Sequence, residues 1–100
     1  MSTTVVRYQV KEGRGDENQA LVEAVFAELA QTKPEGLSYG TVRLDDGVTF
    51  IHTARIDGEE NPLANNRAFK AFTDNIAERC DVPPAPAGAT VIGNYCLYDD

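Results

Sequence analysis

Residues 48–76 read VTFIHTARIDGEENPLANNRAFKAFTDNI, and this stretch decides the fold. Its first part, Val48 to Ile56, is rich in β-branched and aromatic side chains and reads as an extended segment. Asp57-Gly-Glu-Glu60 is a solvated turn. Asn61-Pro62 then reads as a helix N-cap followed by the first helical position, where proline loses no hydrogen bond. Phe69, Phe72, Ile76 and Cys80 recur on one face of the helix that follows. The Asn65-Asn66 pair is a weak spot, so this helix is expected to begin with a short separate turn. Strand, turn and helix in this order form the second half of a β-α-β-β-α-β chain.

The first half lies upstream. Leu37 to Leu44 is a second extended segment, joined to Val48 by Asp45-Asp-Gly47, a hairpin signal because these residues tolerate positive φ. Before it, Leu21, Val22, Val25, Phe26 and Leu29 share a helical face. Asp16 is expected to cap that helix, with Gln19 completing a capping box, and Lys33-Pro-Glu-Gly36 to end it. Val5 to Lys11 alternates as a half-buried strand, with Val6, Tyr8 and Val10 on one face. Downstream, Val82 to Gly88 reads as a stiff proline-rich connector and Thr90 to Tyr98 (TVIGNYCLY) as the last strand.

This order is that of a ferredoxin-like α+β sandwich, a four-stranded antiparallel sheet with both helices on one face. One such domain accounts for residues 1–100. The strands carry apolar side chains on both faces: Phe50, Ala54 and Ile56 oppose Ile51, and Ile92 and Cys96 oppose Val91, Tyr95 and Leu97. Both faces are therefore expected to be covered, the second by another copy of the chain. That predicts a homodimer.

Composition removes several function classes. The net charge of −7 opposes phosphate backbones and anionic lipid surfaces, so no nucleic-acid or membrane partner is expected. Met1-Ser-Thr-Thr lacks the basic start of a signal peptide, and the chain reads as cytoplasmic. Cys80 and Cys96, without CxxC spacing, are expected to be reduced, partly buried thiols. One histidine and scattered carboxylates make no first shell for zinc or iron, so no metal site is expected.

The run from Phe50 to Ala54 leading into Asn61-Pro-Leu-Ala-Asn-Asn-Arg-Ala-Phe-Lys-Ala-Phe72 resembles the antibiotic biosynthesis monooxygenase-like (ABM) family, dimeric α/β-barrel proteins. Phe69 and Phe72 look like that family's Phe-x-x-Phe pair, and small bacterial members share the Asn-Pro-Leu start and the proline-rich connector. The resemblance implies a dimeric barrel with a pocket between sheet and helices in each subunit. It also implies, in some members, oxidation of small aromatic or quinol-type substrates by O2 with no metal, flavin or other cofactor. Haem-degrading members use a Trp with an Asn and a helical His. This chain has no Trp, and its one histidine, His52, falls on a strand, so haem degradation is disfavoured.

Six positions carry candidate chemistry. His52 is a candidate general base, drawing a proton from a phenol, or else a hydrogen-bonded histidine of the core or dimer interface. Asn65 and Asn66 are candidate orienters of a substrate carbonyl, or simply helix-start residues. Tyr39 and Tyr95, with Phe50, are candidate substrate-binding walls, and strand tyrosines also serve plain packing. Two functions follow: a cofactor-free monooxygenase on a small aromatic substrate, or a non-catalytic dimeric module that binds a small hydrophobic ligand.

Overall fold

The computed structural model describes residues 2–97. Four strands, β1 (Ser2–Val10), β2 (Leu37–Arg43), β3 (Thr49–Ile56) and β4 (Cys80–Ala89), form one antiparallel sheet in the order β2-β3-β1-β4. Between β1 and β2 runs α1 (Gly15–Thr32). Between β3 and β4 come a 3-10 turn (Pro62–Asn65), α2 (Arg67–Asp74) and the single turn α3 (Ile76–Arg79). This is the ferredoxin-like α+β architecture that the sequence implies.

The register of the central strands sets the core. Tyr8 pairs with Phe50 and Val6 with His52, so the alternating residues of β1 and β3 point to one face. Tyr8, Val10 and Phe50 are buried there against Val22 and Val25 of α1 and Phe72 of α2, with Leu63 of the 3-10 turn closing the cluster. Burial of an aromatic side chain of this size stabilises by roughly 1.5–3 kcal/mol. The opposite face carries Val5, Val42 and Ile51, which are only half-buried and stand outside that cluster.

The C-terminal part corrects the sequence reading. The proline-rich segment is the fourth strand, and the expected strand from Thr90 is not one: residues 90–97 pair with no strand, and Tyr98 lies outside the described residues. Prolines fit because β4 is an edge, bonded to β1 alone, so a missing N–H on its outer side breaks no ladder. Ile92 and Tyr95 are fully or almost fully exposed, and Cys96, also exposed, has φ +53°. The two-sided apolar pattern expected of that segment therefore disappears. Cys80 is buried and stands at the junction, capping the end of α3 and beginning β4.

The helix starts differ too. Arg14, not Asp16, occupies the N-cap of α1, and no side chain caps it. Asp16 and Gln19 turn instead to Arg43, whose Nη1 donates to both, at 3.0 and 2.7 Å. At the other end Lys33 takes the left-handed conformation, with φ 44°, before Gly36 does, with φ 78°. Gly15 fits tightly, since a Cβ there would sit 2.3 Å from the Gly47 carbonyl oxygen in the β2–β3 turn. The separate turn expected ahead of α2 is present. Asn61 caps it, accepting from Leu63 N, and Asn66 caps α2, accepting from Phe69 N at 2.8 Å.

Candidate functional site

A cavity of about 350 Å³ lies between the sheet and α2–α3. Its lining is mostly apolar and includes Val6, Leu63, Phe69 and Phe72, with Tyr8, Tyr39 and His52 among its polar groups. Strand register brings these three together. Val6 stands opposite His52 on β1, Thr41 stands opposite it on β2, and Tyr8 and Tyr39 follow at the next core-facing positions.

His52 is 4% exposed and held from both sides. Tyr8 Oη lies 2.7 Å from Nε2, while Tyr39 Oη and Thr41 Oγ1 lie 2.6 and 3.0 Å from Nδ1. The imidazole ring stacks with Tyr8 and leans on Phe72, each at 5.3 Å between centroids. Burial lowers its pKa to about 4, so His52 is neutral at neutral pH. Burial also raises Tyr8, and raises Tyr39 to about 12 against the opposing pull of the Thr41 hydroxyl. Both phenols therefore stay protonated.

Behind Tyr8 the polar chain continues. Asn18 Nδ2 donates to Tyr8 Oη at 2.8 Å, and Arg79 Nε donates to Asn18 Oδ1 at 3.2 Å. Arg79 is itself buried, donates from Nη2 to the Phe72 carbonyl at 2.7 Å, and lies over the Phe72 ring. A buried guanidinium is costly unless its donors are met, and these contacts meet them in part.

The other candidate residues lie elsewhere. Asn65 and Asn66 line a separate, open groove of about 590 Å³ with Glu28, Glu35, Glu59 and Glu60. Asn66 Nδ2 is buried there without a partner among the described residues. The Glu28 carboxylate accepts from Arg67 N and Ala68 N, which closes the start of α2. Phe50 is packed between Tyr8 and Arg43 and does not line the aromatic cavity. Tyr95 is 94% exposed and does not line the cavity.

Tyr8, Asn18, Thr41 and Arg79 did not stand out in the sequence, yet each leaves a trace there. Asn18 sits four residues before Val22 on the buried stripe of α1, and Arg79 follows Phe72 and Ile76 on theirs. A polar residue on an apolar stripe signals a buried partner.

Among the described residues no group of three or more metal-ligating side chains is present, and no helix is long and apolar enough to cross a membrane. No family model matches the sequence, and no curated protein is similar to it. Solved structures are. A candidate antibiotic biosynthesis monooxygenase from Nitrosomonas europaea has a TM-score of 0.75 at 13% identity, covering 93% of this chain and 100% of that one. A protein of unknown function from the same organism has a TM-score of 0.72 at 18% identity, covering 94% and 91%. An L-rhamnose mutarotase from Formosa agariphila has a TM-score of 0.57 at 19% identity, covering 95% and 99%. The single-chain fold of the ABM resemblance, a ferredoxin-like α+β sandwich, is thus the fold found, and solved structures that share it carry more than one activity in their names.

Proposed function

We propose that the cavity binds a small, largely apolar aromatic molecule with an oxygen at Tyr39, and that the protein oxygenates it without metal or flavin. The observation that carries this reading is the convergence of Tyr8, Tyr39 and His52 on one point of a mostly apolar pocket. Aromatic walls with a few placed polar groups suit a planar ligand. In this reading a phenol or hydroquinol gives its proton to water, and the Tyr39 hydroxyl donates to the resulting oxyanion. The electron-rich ring then reduces O2. One oxygen atom becomes a new ring carbonyl, and the other leaves as water with the two hydrogens the substrate gives up. His52, neutral and held on both nitrogens, positions Tyr39 rather than taking the proton itself.

Oxygen uptake with a panel of hydroquinones and naphthols tests this directly. Tyr39→Phe is expected to lower the rate by about 100-fold, the usual cost of one oxyanion donor. Equal rates in wild type, Tyr39→Phe and His52→Ala would remove the site from the mechanism. The alternative is a non-catalytic module that binds a small hydrophobic ligand. It is favoured by the low basicity of His52, which leaves no strong proton acceptor in the polar cluster. Binding without oxygen uptake would establish it.

We also propose that the protein works as a homodimer. Val5, Val42 and Ile51 on the face outside the core are only half-buried, and Val91, Ile92 and Leu97 are exposed, which leaves apolar area for a second copy to cover. Light scattering at micromolar concentration is expected to give twice the chain mass, and a monomer there overturns it.

A further inference from the structure

The buried chain behind His52 has a direction, and the direction can be read from one end. A guanidinium only donates, so Arg79 must face the amide oxygen of Asn18, as it does at 3.2 Å. That orientation leaves the Asn18 amide nitrogen to donate to Tyr8 Oη at 2.8 Å. With this oxygen already accepting, the Tyr8 proton goes to its other partner, His52 Nε2, 2.7 Å away. A neutral imidazole that accepts at Nε2 carries its proton at Nδ1. Nδ1–H then donates to Tyr39 Oη at 2.6 Å, with Thr41 Oγ1 as a longer alternative at 3.0 Å. The Tyr39 proton is left to turn into the cavity that Tyr39 lines. Asn18, Arg79 and Tyr8 are 0%, 1% and 1% exposed, so solvent does not compete for these positions.

We propose that Arg79 and Asn18, acting through Tyr8, hold His52 as its Nδ1–H tautomer and thereby make the Tyr39 hydroxyl a donor into the cavity, which selects aromatic ligands bearing an oxygen acceptor. The selectivity rests on the cavity being a ligand site; the tautomer does not. Arg79 and Asn18 do not line the cavity and are positioning residues. They set a polarity that Tyr39 and His52 alone would leave open, because a hydroxyl and an imidazole can each donate or accept. Ligands that offer only donors at that point meet a donor and lose the bond.

His52 is the only histidine, so a 15N spectrum of histidine-labelled protein reports this residue alone. The wild type is expected to show a protonated Nδ1 and an unprotonated Nε2 at neutral pH. Asn18→Asp should invert this pattern. Its carboxylate accepts from both Arg79 and Tyr8, so Tyr8 Oη must accept from Nε2–H, and Nδ1 must accept in turn, from Tyr39 at 2.6 Å in preference to Thr41 at 3.0 Å. The wild type with Nε2–H, or a folded Asn18→Asp with an unchanged tautomer, overturns the relay. If Asn18→Asp does not fold, the wild-type spectrum still decides the tautomer.

The ligand arm uses two flat probes of similar shape, 1,4-naphthoquinone and naphthalene. Wild type is expected to bind the quinone several-fold to about tenfold more tightly, the yield of one hydrogen bond. Asn18→Asp and Tyr39→Phe should both lose that preference. A wild type that binds both probes equally overturns the selectivity. If neither probe binds while the tautomers behave as stated, the ligand-site reading fails and takes the selectivity with it, while the relay stands.

Discussion

Strands β3 and β4 flank β1 on its two sides, and they are held in the sheet by different means. β3 is paired on both edges and buries Thr49, Phe50 and His52, so its side chains supply the centre of the core and the wall of the cavity. β4 is paired on one edge only. Of its ten residues only Cys80 is buried, and Pro84 is half-buried. Backbone pairing to β1 from Cys80 to Ala89, broken by register shifts around Gln9, is what keeps it in place. A central strand is thus fixed by what its side chains touch, and this edge strand by its ladder.

The sharpest way to break that contrast is to empty the centre. Phe50→Ala is expected to cost about 4 kcal/mol in urea unfolding, because a fully buried ring is removed from between Tyr8 and Arg43. A loss below about 1 kcal/mol would mean that β3 is not the core strand described.

The next effect concerns pH. His52 has its pKa lowered from 6.5 to about 4 by burial, so the unfolded chain takes up a proton in that interval that the folded chain refuses. Stability is therefore full above pH 6.5 and declines as pH falls towards 4, by up to about 3 kcal/mol. His52→Gln should flatten this decline. Asp46, whose carboxylate is lowered by bonds from Thr49 and Val48, acts in a separate window below its ordinary 3.8. Urea midpoints measured across the range would separate the two.

On β4 the expected changes are smaller. Pro86→Ala should cost about 0.4–1 kcal/mol, mostly by giving the unfolded chain more freedom. A core-sized loss would mean that the edge carries packing after all. Smallest is Ile92→Ser, which at a fully exposed position should shift monomer stability by no more than about 0.5 kcal/mol. In the proposed dimer the same change should instead raise the dissociation constant, which dilution series by light scattering would detect.

The same contrast explains what the sequence made legible. Hydrophobic periodicity records burial, so β1, α1 and β3 could be placed from Tyr8, Val22, Val25 and Phe50, and the element order with them. β4 buries almost nothing and leaves no period to read, while residues 90–97 include strand-forming side chains but join no strand of the sheet. Composition favoured the wrong segment because pairing, not propensity, decides an edge. His52 and Tyr39 were visible as a lone histidine and a strand tyrosine. Asn18 and Arg79, which reach His52 only through Tyr8, are 61 residues apart and meet only once the helices dock on the sheet. Asn65 and Asn66 were legible as helix-start residues, and Asn66 is indeed the cap of α2.

Gly15 gives the fold a property that belongs to its mutational record rather than its energetics. Gly13 and Gly15 stand two residues apart in the same turn region. At position 13, with φ +87° and nothing within 4 Å, asparagine or aspartate has room and tolerates the backbone. At position 15 a methyl group would meet a backbone oxygen that cannot swing aside. A library randomised at both sites and sorted for folded protein should therefore return several residues at one and a single letter at the other.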